Sequence, residues 1–376
     1  MTSLPRAGVG PLLRQGRVLL RPLVLYAASR VLVLGSVALG ALLHGDLGIL
    51  DALGVWDGRW YTDVAAHGYP TVVPQGESDV ADAIAFFPLY PLLIRGLSTL
   101  TGLHELASAV ALAAVFGTAA ALALWALVER VADREAADRA VALFAFFPGS
   151  FVLSLAYAEG LMLTLAITCL LALLARRWLA AGLAAAVATA SRPNAVVLVA
   201  CCAWAAVAAY RRDRDLRALA APALAPLGLL GFFGYLWAHT GQPAAWLLVQ
   251  RHGWGERVDF GYRTLREVAI AVRDPANAPV VVAVAGLAFV AVAAVLLWRW
   301  RPPAELVVYA VGVIVLALLS RRLQARPRFI LTAFPLIVAV ARPLGGRLLA
   351  VAVAVSAALL SALSVLTVAQ QVIIVP

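Results

Sequence analysis

Long apolar runs alternate with short charged or proline-bearing breaks along this chain, and the alternation predicts a bundle of membrane-crossing helices. The first run is Pro22 to Leu43. It is followed by Phe86 to Leu100, Leu106 to Val128, Ala140 to Ala175, Trp178 to Ala190, Ala195 to Tyr210 and Ala218 to His239. Val280 to Trp298, Leu306 to Leu319, Phe329 to Ala341 and Leu348 to Val368 complete the series. A bilayer core takes about 20 apolar residues per helix, so most of these runs are long enough to cross or nearly so. Two are interrupted. Pro88 and Pro91 break the Phe86 run, and Ala140 to Ala175 exceeds one span and is divided by Pro148, Gly149 and the group Tyr157, Ala158, Glu159. Proline removes a backbone donor and kinks or starts a helix, so both regions are expected to be irregular.

Two longer polar stretches, 44–85 and 240–279, stand out as extramembrane loops. The expected architecture is all-α and polytopic, with about ten to twelve spans in one domain covering 1–376. Arg6, Arg14, Arg17 and Arg21 precede the first run and place the N-terminus in the cytoplasm. That run is longer than the apolar core of a signal peptide, so it reads as an uncleaved first span. Counting every run as a crossing, the divided Ala140 run as two, then puts Arg211, Arg212, Arg214 and Arg217 outside, against the tendency of arginine to stay inside. At least one segment between Phe86 and Tyr210 is therefore expected not to cross, with the Phe86 and Ala140 regions as the candidates. Counting from Arg299 and Arg301 as cytoplasmic puts Arg321, Arg322, Arg326 and Arg328 outside, against the same tendency, which suggests an anionic ligand near them.

Composition sharpens the class. The 376 residues are 63% hydrophobic and 13% charged, which excludes a soluble globular core. All basic residues are arginine, and the net charge of +10 suits anionic lipid rather than nucleic acid, because the arginines fall in short clusters between apolar runs. Cys169, Cys201 and Cys202 lie in apolar runs and form neither a disulfide framework nor a metal-ligand spacing. No glycine-rich nucleotide motif is present, which argues against a cytosolic sugar-nucleotide donor.

Charge, aromatics and imidazole concentrate in Trp56 to Pro70, WDGRWYTDVAAHGYP. As a helix over Asp57 to His67 stopped by Gly68, it places Trp56, Trp60, Asp63 and His67 along one face, with Asp57 and Tyr61 beside them. Physically this is either an interfacial helix whose Asp57 caps its own N-terminus, or a helix presenting carboxylates to a water-filled cleft. Glu159, beside a long apolar run, is costly unless it meets a partner or a cavity, the alternative being an interfacial glutamate at a helix N-terminus.

WDGRWY followed by HGYP, then FFPLYP, AYAEGLM and the Arg192 to Asn194 break resemble, in that order, the PIG-V mannosyltransferase family of GT-C glycosyltransferases. The resemblance implies transfer of mannose from a polyprenyl-phosphate mannose donor to a lipid-linked or cell-envelope glycan acceptor, at the extracytoplasmic face of a cell membrane. It implies Asp57 as general base. Trp56 and Tyr61 are candidates to hold sugar, and Asp63 or His67 to orient the base. Glu159 is a second carboxylate for acceptor binding or metal coordination, so a divalent metal stays open, although no metal-ligand motif is seen. Arg192, Arg326 and Arg328 are candidates for the leaving phosphate, since guanidinium forks suit phosphate oxygens. The arginine-only, alanine-rich composition looks bacterial, so the acceptor of eukaryotic relatives does not carry over. A multi-pass transporter or flippase of lipid-linked sugars is the competing class, and a structural partner of an envelope-assembly complex is a third.

Overall fold

A computed structural model describes residues 10–45, 47–73, 83–274, 278–321 and 326–369; Arg322 lies outside the described residues. Those residues form helices joined by short turns, and the one β-bridge among them pairs Val258 with Ser320. The first polar loop holds α2 (Ile49–Leu53) and α3 (Asp57–His67) between α1 (Gly10–His44) and α4 (Leu89–Thr101). Next come α5 (Glu105–Val131), α6 (Arg134–Phe146), α7 (Glu159–Leu174), α8 (Trp178–Thr189) and α9 (Val197–Asp213). The chain continues through α10 (Ala220–Leu224), α11 (Leu227–Thr240), α12 (Ala245–His252) and α13 (Tyr262–Arg273). It closes with α14 (Ala278–Trp300), α15 (Ala304–Leu319), α16 (Pro327–Thr332), α17 (Phe334–Ala341) and α18 (Gly346–Val368).

Six stretches among the described residues are long and apolar enough to cross a membrane: Leu19–His44, Glu105–Val131, Pro193–Asp213, Leu216–Thr240, Val280–Trp300 and Gly346–Val368. Glu159–Leu174, Trp178–Thr189 and Ala304–Leu319 are shorter apolar helices. The Ala140 run is divided as its proline and glycine predict. Helix α6 ends at Phe146, a 3₁₀ turn occupies Pro148–Leu153, and α7 starts at Glu159.

Polar contacts sort the helix ends into two sets. At one end, Arg21 pairs with Asp138 (2.8 Å), and Arg130 donates to the Leu174 carbonyl (3.2 Å). In the same set Arg176 pairs with Asp213 (2.6 Å), and Arg139 donates to the Arg342 carbonyl (2.9 Å). At the other, Trp56 donates to the Thr367 carbonyl (3.0 Å), and the Leu89 amide to the Ala190 carbonyl (3.0 Å). His239 meets the Tyr69 carbonyl (3.0 Å) there too. Helix α4 begins and ends in this second set, because Arg95 donates to Ala65 (2.6 Å) and Ser98 reaches Leu103 and Glu105 just beyond the helix. The proline-broken Phe86 run therefore returns instead of crossing, and the count that failed to close in the sequence closes: Arg211 to Arg217 join the first set.

Inside the bundle, charge is satisfied locally. Arg30, in the middle of α1, donates to the carbonyls of Ala145 (2.9 Å) and Ser150 (2.7 Å) and to the hydroxyls of Ser150 and Ser154. The Ala145 carbonyl lies in the last turn of α6, where the break at Pro148 ends the intrahelical ladder, so the arginine supplies a donor that the helix does not. Gly149 lets the 3₁₀ turn lie against the start of α16, since a Cβ there would stand 2.2 Å from the Pro327 carbonyl oxygen. That close approach positions Arg328.

Candidate active site

Helix α3 runs from Asp57 to His67 and stops at Gly68, which takes φ +84° as the sequence pattern requires. Trp56, just before it, has φ +58°, an uncommon conformation for a side-chain-bearing residue. It is held by its indole bond to Thr367 and by the backbone bond from Ala156 to Leu53 (2.8 Å), which fixes the turn against the segment leading to Glu159. The outcome is a helix split by face. Trp56, Arg59, Trp60 and Asp63 line an open cleft, while Asp57 and Tyr61 point inward and are buried.

On the inward side four charged groups close into a chain. Arg328 is 3% exposed, donating through Nη2 to Asp57 Oδ2 and through Nε to Glu159 Oε1. Glu159 is fully buried, and its second oxygen lies 3.0 Å from Arg192 Nη1, at ion-pair distance without hydrogen-bond geometry. Arg192 in turn approaches the Tyr61 hydroxyl (3.4 Å). The Arg328 guanidinium sits over the Tyr157 ring, 4.6 Å from its centroid. Burial pushes the Tyr61 hydroxyl well above its ordinary range, opposed in part by Arg192, so it stays protonated. Two carboxylates thus balance two guanidiniums in a site that would not tolerate either charge alone.

Two spaces meet at these residues. A cavity of about 120 Å³ is lined by Asp57, Tyr61, Phe86, Arg192, Trp254, Arg328 and Phe329, among others. A larger groove of about 710 Å³ runs between Leu229, Phe233, Trp246, Leu247, Leu316 and Leu319, with Arg251 and Arg257 also on its wall. Arg192, Pro193, Gln250, Glu256 and Phe329 belong to both. The second polar loop forms part of this wall because Glu256 accepts from the Ser320 hydroxyl (2.7 Å) and the Arg321 amide (2.9 Å).

The structure brings Asp57, Tyr61, Glu159, Arg192 and Arg328 together. Asp63 and His67 pair with each other (2.9 Å) on the exposed face of α3. Arg326 stands at the N-terminal boundary of α16, where its carbonyl accepts from Phe329 and Ile330. Asp57 opens α3 but turns to Arg328, and Glu159 opens α7 but is held by Arg328 and Arg192, so both leave the simple capping role behind. Sequence reasoning did not single out Tyr157 as the surface under Arg328, nor Trp254 and Phe329 as cavity walls. The signal for the first was its place two residues before Glu159. As for a metal, both carboxylates are engaged by guanidinium, and no group of three or more His, Cys, Asp or Glu lies together among the described residues.

The fold has solved counterparts. An oligosaccharyltransferase of Archaeoglobus fulgidus in the apo form superposes with a TM-score of 0.50 at 16% identity, over 88% of this chain and 56% of that one. ArnT from Cupriavidus metallidurans, bound to undecaprenyl phosphate, superposes with a TM-score of 0.51 at 16% identity, over 88% of this chain and 61% of that one. This chain thus spans less than two thirds of the length of each. No curated protein sequence matches the chain. The chain is a helical membrane protein with the GT-C glycosyltransferase fold. Within that class it is PIG-V-like: residues 41–220, just under half its length, match the family Mannosyltransferase (PIG-V), bearing out the resemblance carried by the four motifs.

Proposed function

We propose that the protein is a membrane glycosyltransferase that moves a mannosyl residue from polyprenyl-phosphate mannose to a hydroxyl of a lipid-linked or cell-envelope glycan. The observation that carries this reading is the junction of an apolar groove with a carboxylate-bearing cavity at Arg192. A polyprenyl tail suits the groove, its phosphate suits the guanidinium at the junction, and the sugar then reaches Asp57. The neighbour with bound undecaprenyl phosphate supports a lipid-phosphate donor on this fold.

Only one of the two carboxylates opens to the cavity. Asp57 lines it, whereas Glu159 is sealed behind Arg328 and Arg192. This supports inversion in one displacement. Asp57 takes the acceptor proton, the acceptor oxygen bonds to the anomeric carbon, and the bond from that carbon to the phosphate oxygen breaks, with the phosphate leaving against guanidinium. A retaining route needs a second exposed nucleophile. The end of the bundle opposite the site gathers Arg130, Arg134, Arg139, Arg176, Arg177, Arg211, Arg212, Arg214 and Arg217, which favours that end as cytoplasmic and the site as extracytoplasmic.

The test is sugar transfer from radiolabelled polyprenyl-phosphate mannose to a membrane lipid and glycan extract. Asp57→Asn is expected to lower transfer by on the order of 10²–10⁴-fold, the usual contribution of a general base, with the protein still folded. Near-normal transfer by the variant would remove Asp57 as the base. Absence of transfer by the native chain would turn attention to other lipid-linked sugars and then to transport.

A further inference from the structure

Arg328 is held by both carboxylates, yet it lines the same cavity as Arg192, the cation at the mouth of the groove. Its bond to Glu159 is anchored, because Glu159 is fully buried and also faces Arg192. Its bond to Asp57 faces open space, since Asp57 and Arg328 are both cavity walls. The flat Tyr157 ring beneath the guanidinium stabilises the cation without fixing which oxygen it meets.

On the donor reading given above, we propose that Arg328 is shared between Asp57 and the donor phosphate. Without donor it binds Asp57 and masks the base; a phosphate seated at Arg192 draws it away and frees the Asp57 carboxylate for the acceptor proton. Charge supports the exchange. The four groups are neutral as they stand, and a phosphate beside Arg192 makes three anions against two cations within the set, while Arg251 and Arg257 lie further along the groove wall. Glu159 keeps its place because it has no route to solvent, so Asp57 is the group that gives up its partner. The base then becomes available only when donor is bound, and the order of binding is donor before acceptor. A carboxylate engaged by guanidinium has an oxygen lone pair occupied and its charge offset, so it accepts a proton poorly until it is released.

The consequence runs against the usual effect of damaging a site. Asp57 competes with phosphate for Arg328, so Asp57→Asn is expected to bind undecaprenyl phosphate about fivefold or more tightly than the native chain, within the usual range of coupling between linked sites. The measurement is equilibrium binding of undecaprenyl phosphate to full-length protein in nanodiscs, with thermal unfolding to confirm that each variant is folded. Removal of a nearby negative charge would also favour phosphate, and a second background separates the two causes. With exchange, the gain from Asp57→Asn vanishes when Arg328→Gln is also present. Equal or weaker binding by Asp57→Asn overturns the proposal, as does a gain that persists with Arg328→Gln. Absence of undecaprenyl phosphate binding by every form, native included, removes the donor reading itself and this exchange with it.

Discussion

Asp57 and Glu159 are both acids at the first position of a helix, and their surroundings give them different work. Asp57 reaches the cavity; Glu159 is enclosed, with a guanidinium on each oxygen. The enclosed acid is placed as a counter-ion, and its removal leaves two buried arginines with Asp57 as the remaining carboxylate of the set. Breaking one partner out of a buried charge set typically costs about 3–5 kcal/mol, so Glu159→Gln is expected to destabilise the protein on that scale, whereas Asp57→Asn loses transfer first. Thermal unfolding in detergent distinguishes them, and equal melting of native and Glu159→Gln protein would end the counter-ion role. Asp57 was legible from its motif and Glu159 from the cost of an acid in an apolar run. Arg328 was visible only as an arginine on the unexpected side, because nothing local in PRFILT shows that it pairs across the fold with Asp57 and Glu159. Asp63 and His67, read as one face of α3, pair with each other on its exposed side, away from Arg328.

At the scale of elements, the helices and their breaks were largely written in the pattern. The span of α3, its stop at Gly68 and the division of the Ala140 run all follow from periodicity, glycine and proline. The path of α4 was not legible, since 13 helical residues with Pro88 just before them and Pro91 in the first turn fit a kinked crossing as well as a return. Contacts from Arg95 to α3 and from Leu89 to the end of α8 decide it, and these are long-range. The close approach of the 3₁₀ turn to α16 is also tertiary, and it can be tested. A methyl group at Gly149 would meet Pro327 backbone, which cannot rotate away as a side chain would. Gly149→Ala should therefore shift the start of α16 and with it Arg328. The expected outcome is about 1–3 kcal/mol of destabilisation from overpacking, together with loss of transfer, although residue 149 is not among the walls of the cavity. Full activity with unchanged melting would show that α16 does not depend on this contact.

For the whole molecule, composition alone placed the chain in a membrane, while its orientation needed the fold. Apolar runs can be counted in the sequence, but a run that returns inverts the assigned side of everything after it. With α4 returning, the arginines near Asp213, Leu174 and Arg342 collect at one end, and the tetrad of Asp57, Glu159, Arg192 and Arg328 sits at the other. Positive charge is retained on the cytoplasmic side during insertion, so the tetrad end is expected outside. The chain suits a direct test because Cys169, Cys201 and Cys202 are all buried and give no background to a surface thiol reagent. Thr71 and Arg212 are exposed and mark the two ends. In intact cells a membrane-impermeant maleimide should label Thr71→Cys and leave Arg212→Cys unmodified until the membrane is permeabilised. The reverse pattern would place the site in the cytoplasm, where a nucleotide-sugar donor becomes the better expectation, and labelling of both from one side would mean that the two ends do not lie across the bilayer.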